Sequence, residues 1–60
     1  MKKFKTIKQA NEEAKINSLK NKTTMYVIES NEFYYVDNDP FIRTWEKIHN
    51  IFNCGIQKFY

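Results

Sequence analysis

The stretch Met25-Tyr26-Val27-Ile28-Glu29-Ser30-Asn31-Glu32-Phe33-Tyr34-Tyr35-Val36-Asp37 decides the fold. Two runs rich in β-branched and aromatic residues flank a short polar break, which is the pattern of a β-hairpin. With Ser30-Asn31 as a two-residue loop, Glu29 pairs with Glu32, Ile28 with Phe33, Val27 with Tyr34, Tyr26 with Tyr35 and Met25 with Val36. Alternate pairs point to opposite faces. One face then carries Tyr26, Ile28, Phe33 and Tyr35; the other carries Met25, Val27, Tyr34 and Val36. Neither face is polar. A lone hairpin is marginal in water, so this one needs a cover on each side.

Downstream, Asp37-Asn38-Asp39-Pro40 is the strongest local signal. Asp39 is a good N-cap, and Pro40 fits the first helical position, where its missing N–H costs nothing. The spacing predicts a helix from Pro40 to about Asn53, with Phe41, Trp45, Ile48 and Phe52 as its stripe and Gly55 as its left-handed stop. That helix would cover one face of the hairpin, and the opposite face would be covered either by a first helix over Ile7–Lys20 or by another chain. The tail, residues 56–60, ends either loose or as a short final strand on the sheet edge.

Upstream, Thr6 and Gln9 have capping-box spacing and open a predicted helix from Ile7 to about Lys20. Its apolar stripe is poor: Ile7, Ala10 and Ala14 line one side while Ile16 and Leu19 sit roughly opposite. Residues 1–5 read as a mobile basic arm ahead of a single small domain over 6–60. The expected architecture is therefore α+β, in the order α-β-β-α.

Sixty residues stand near the lower limit for independent folding. Cys54 is the only cysteine, so no intramolecular disulfide can staple the chain. No apolar run is long enough for a transmembrane helix or a signal peptide, and a lone cysteine suits a reducing compartment. The expectation is a cytoplasmic protein without membrane contact, stabilised by a protein partner or a second copy of itself.

Chemistry-bearing residues are sparse. Asp37-Asn38-Asp39 has the opening of a calcium loop, but Ile42 and Ile48 stand where that loop needs Gly and Glu. Capping accounts for these carboxylates. His49 and Cys54 are five apart and have no second His or Cys to join them, so no zinc site or relayed nucleophile assembles within one chain. No catalytic residue, metal, cofactor or small-molecule ligand is implied.

Charge is unevenly placed. Residues 1–23 hold seven lysines against Glu12 and Glu13, while 24–60 hold three basic and five acidic side chains. Lys2, Lys3, Lys5, Lys8, Lys15, Lys20 and Lys22 could hold nucleic-acid phosphates, although no recognised motif accompanies them. The first expectation is a small non-enzymatic protein-binding or accessory protein, self-associating or docking on a larger assembly. Its contacts would be Met25, Val27, Tyr34 and Val36 on the spare hairpin face, with Ile16 and Leu19 on the first helix. Nucleic-acid binding through the lysines is the second.

Overall fold

The computed structural model describes residues 2–58. Its elements are β1 (Lys3–Phe4), α1 (Ile7–Asn21), β2 (Thr24–Ser30), β3 (Phe33–Asp37), β4 (Lys47–Asn53) and β5 (Ile56–Lys58). The strands form one antiparallel sheet in the order β1-β3-β2-β4-β5, with α1 packed on one face.

The hairpin forms with a different loop. Asn31-Glu32 make the turn, so Ser30 pairs with Phe33, Glu29 with Tyr34, Ile28 with Tyr35 and Val27 with Val36. The expected loop, Ser30-Asn31, lies one residue too early. Each strand slips by one, so the register moves by two and every side chain keeps its expected face. Met25, Val27, Glu29, Tyr34 and Val36 share the α1 face; Tyr26, Ile28, Ser30, Phe33 and Tyr35 share the other.

Helix α1 begins as its capping residues dictate, with the Thr6 hydroxyl accepting from the Gln9 amide at 3.2 Å. It ends on Lys22 in the left-handed conformation, whose N–H returns to the Ser18 carbonyl. Its buried residues are Ala10, Ala14 and Ser18, spaced by four. Such small residues let the helix lie close to Val27 and Phe52, with Phe4, Ile7, Met25, Tyr34 and Val36 around the contact. The segment expected as an arm contributes Lys3–Phe4 to the sheet, opposite Tyr35 and Tyr34. Residue 1 of that arm and residues 59–60 of the tail lie outside the described residues.

The second predicted helix does not exist. Asp39 makes the bond an N-cap would make, accepting from the Phe41 amide at 3.0 Å, and Asp37 accepts from the Asp39 amide at 3.2 Å. These are successive Asx turns that close without a helix following. Residues 38–46 run as a loop, and Lys47–Asn53 become β4 against the free edge of β2. A helix there would have satisfied its own backbone but left that edge of β2 unpaired.

A β-bulge explains the misleading periodicity. The β2–β4 register steps from Val27 opposite Asn50 to Ile28 opposite Ile48, leaving His49 as the extra residue. Ile48 and Ile51, three apart, therefore share the face away from α1, a spacing that belongs to a helix when strands are regular. Gly55 does not stop a helix. Cys54 at φ 51° and Gly55 at φ 82° form the two-residue loop between β4 and β5, both with the positive φ of a type I′ turn.

Topology decides how the two faces are covered. β1 and β2 are parallel with β3 between them, joined by α1; β3 and β4 are parallel with β2 between them, joined by residues 38–46. Both connections step the same way across the sheet, but from strands of opposite direction. Crossovers that share one hand must then lie on opposite faces. The 38–46 crossover accordingly covers the face that α1 leaves bare, where Ile28 is 0% and Tyr35 4% exposed.

Candidate interaction surface

The crossover is anchored by a buried carboxylate. Because the bulge resets the alternation of β4, Glu46 falls on the face away from α1, beside Ser30. The Glu46 Oε1 accepts from the Tyr35 hydroxyl at 3.0 Å and from the Arg43 amide at 3.0 Å. The Arg43 guanidinium stands 3.9 Å from Oε2, exposed at one end of an ion pair whose carboxylate end is buried. The backbone bond from Arg43 holds the Glu46 carboxyl below the usual range, against the opposing effect of burial. Burial, followed by the Glu46 bond and charge, pushes the Tyr35 hydroxyl up to about 12. This arrangement fixes a loop; it presents no reactive group to solvent.

Fixing Glu46 leaves the middle of the crossover facing outward. Phe41 is 82% and Trp45 56% exposed, and the Arg43 guanidinium lies 5.8 Å from the Trp45 ring centre. Neither aromatic packs in the helical stripe expected for it; half-buried Ile42 is the apolar residue of this segment drawn inward. Trp, Arg and Phe are residue types that dominate protein–protein contacts once desolvated.

The expected contact residues fall into two groups. Ile16 and Leu19 are 61% and 60% exposed on the outer side of α1. Met25, Val27, Tyr34 and Val36 lie beneath α1, Val27 completely and the others partly buried. The face expected to be spare is therefore the helix-covered one.

The lysines do not converge. Lys2 and Lys3 hold their ammonium groups over the rings of Phe4 and Phe33, at 5.5 and 4.7 Å. Lys8, Lys15 and Lys20 are exposed on α1, Lys22 caps its end, and Lys5 sits in the β1–α1 link.

On the α1 face, the bulge aims His49 at Glu29, with Nε2 and Oε1 in direct hydrogen-bond contact and the Tyr34 ring edge-on at 5.9 Å. Both side chains are partly exposed. Among the described residues no three His, Cys, Asp or Glu groups gather as metal ligands, and Cys54 is a free, exposed thiol in the β4–β5 turn. Among the described residues no helix is long and apolar enough to cross a membrane.

The signal that could have located this surface was present. Ile51-Phe52-Asn53, then Cys54-Gly55, then Ile56-Gln57 is two strand-like runs around a two-residue turn ending in Gly. Reading it as a hairpin removes the second helix and frees Phe41 and Trp45 from a core role. Comparison with protein-family models, curated proteins and solved structures finds no match to this chain.

Proposed function

We propose that this chain is a small non-enzymatic protein-binding module that docks, on a second copy or on a larger protein, through the crossover side of the sheet. The observation that carries this reading is the exposure of Phe41 and Trp45 on a segment whose two flanks are tied down by Asp39 and Glu46. Two aromatics of roughly 200 Å² each, held outward on an anchored loop, lose little conformational freedom when covered. Tyr26 and Phe33 are half-buried on the same sheet face. Ile16 and Leu19 on α1 supply a second apolar contact. Met25, Val27, Tyr34 and Val36 would meet a partner only if α1 moved off the sheet.

Self-association is tested by melting the protein across a hundredfold dilution, with light scattering at the top concentration. A dimer dissociates on dilution, so its melting temperature falls. A monomer at every concentration, with one melting temperature, removes the second copy as occupant. Capture by a larger protein is then tested by comparing the wild type with Phe41→Ser/Trp45→Ser: a partner retained equally by both proteins overturns the assignment of this surface. A slope of log affinity against log salt near −4 to −5 for DNA or RNA, as about five phosphate contacts require, would instead favour the lysines.

A further inference from the structure

We propose that the cleft between α1 and β5 receives the carboxamide side chain of an Asn or Gln in an extended segment of a partner protein, paired as an added strand along β5. The inference goes beyond the crossover reading to a second surface of the molecule. It concerns the α1 face, not the crossover.

The cleft has a volume of about 270 Å³ and is lined by Asn11, Glu12 and Lys15 of α1 and by Phe52, Gly55 and Gln57 of the β4–β5 hairpin. That is below the roughly 300–1,000 Å³ of sites for drug-sized ligands; it suits one side chain. Phe52, 4% exposed, supplies an apolar wall.

Three side-chain amides run through this region head to tail. Gln57 donates from Nε2 to Asn50 Oδ1 at 2.9 Å, and Asn50 donates from Nδ2 to Asn11 Oδ1 at 2.8 Å. The chain has two ends, the Asn11 NH₂ and the Gln57 carbonyl, and among the described residues neither has a partner. Both end residues line the cleft. One end donates, the other accepts, and each is polarised by the bonds behind it. A primary carboxamide is the complementary group: its carbonyl accepts from Asn11 and its NH₂ donates to Gln57. A carboxylate has nothing to donate to Gln57, and an aliphatic side chain leaves both ends unpaired.

The backbone supports the same pose. In a ladder closed by a two-residue turn, the flanking pair Asn53 and Ile56 face each other through their hydrogen bonds. The next residue, Gln57, therefore turns its N–H and C=O away from β4. A strand added there meets both groups and sends alternate side chains to the α1 face, where the cleft lies.

The test uses the full chain labelled with ¹⁵N and three capped peptides: acetyl-Thr-Gln-Thr-N-methylamide and its Glu- and Leu-centred counterparts. At millimolar peptide, the side-chain NH₂ signals of Asn11, Asn50 and Gln57 and the backbone amide of Gln57 should move with the Gln peptide. Affinity should be about tenfold weaker for the Glu peptide, which leaves one hydrogen bond unmade, and weaker again for the Leu peptide, which leaves both. Gln57→Leu, at an exposed position, should keep the fold's signal dispersion and erase the preference for Gln over Glu. Equal binding of all three peptides, shifts confined to other residues, or no shifts with any peptide overturns the proposal. None of these outcomes touches the dilution or crossover-variant results, so the two readings fail separately.

Discussion

The Tyr35 hydroxyl donates to Glu46 Oε1 at 3.0 Å, joining the middle of β3 to the last residue of the 38–46 crossover. Both residues are buried, at 4% and 8% exposure. The bond ties the end of the 38–46 crossover to the sheet face that it covers. Removing one partner should cost more than a surface hydrogen bond, because the other partner stays buried. Glu46→Ala strands the Tyr35 hydroxyl and the Arg43 amide, and we expect a loss of about 2–4 kcal/mol in urea unfolding. Tyr35→Phe should cost about 1–2 kcal/mol. In a double-mutant cycle the pair should couple; strict additivity would mean that the bond contributes nothing.

The same pair sets two limits on stability against pH. Glu46 is held below its ordinary carboxyl range in the folded protein, so its contribution is present above the unfolded value and is lost as pH falls through the folded one. Tyr35 behaves in the opposite sense. Burial and the Glu46 bond push its hydroxyl up from the ordinary 10.0 to about 12 in the folded protein, so its contribution is intact below 10 and disappears as pH rises toward 12. Unfolding free energies measured in denaturant across that alkaline window should fall for the wild type, by up to roughly 3 kcal/mol for a two-unit shift. Tyr35→Phe should lack that component of the fall.

Gly55 at φ 82° gives a third prediction. A Cβ at this position would be strained by the backbone and would approach Leu19 Cβ to 3.2 Å. Gly55→Ala should therefore lower stability by about 1–2 kcal/mol. Its neighbour Cys54, at φ 51° and exposed, should accept Asn with no loss or a gain of a few tenths of a kcal/mol, since Asn tolerates this region better. Paired thermal melts separate the two effects; a neutral Gly55→Ala would contradict the turn assignment.

Ser18 gives a fourth. Its hydroxyl donates to the Lys15 carbonyl at 3.0 Å and accepts from the Gly55 amide at 2.8 Å, tying α1 to the β4–β5 turn. Ser18→Ala orphans the Gly55 N–H and should cost about 1–2 kcal/mol. Hydrogen exchange should report the loss first at Gly55. Ala14→Leu, one turn earlier on the buried side of α1, should cost about 1–3 kcal/mol, because α1 has no room to retreat from Val27 without uncovering it.

Val27 and Phe41 make a contrasting pair for the last prediction. Val27→Ala empties part of a fully enclosed site and should cost about 2 kcal/mol, whereas Phe41→Ser removes a ring that already faces water and should leave unfolding within about 0.5 kcal/mol. Association, if it uses the crossover, should respond in the reverse order.

Much of this molecule was legible from short-range patterns. The Thr6 cap and the run of helix formers after it define α1 wherever it packs, and the aromatic and β-branched runs on either side of Asn31 define β2 and β3. Even the sorting of side chains between the two sheet faces survived a misplaced turn, because a two-step slip of register conserves parity. What residues 40–53 would become was not legible. Asp39 really does accept the cap bond from the Phe41 amide, and Ile48 and Ile51 really do have helical spacing. That spacing instead serves a strand, since the bulge at His49 adds one residue to the pleat. The deciding fact lies outside the segment: β2 had an unpaired edge, and filling it turned Lys47–Asn53 into a strand, drew Glu46 inward to Tyr35, and pushed Phe41 and Trp45 out into solvent. Local residue preferences settle elements that bond within themselves, while a strand is settled by whichever neighbour lacks a partner.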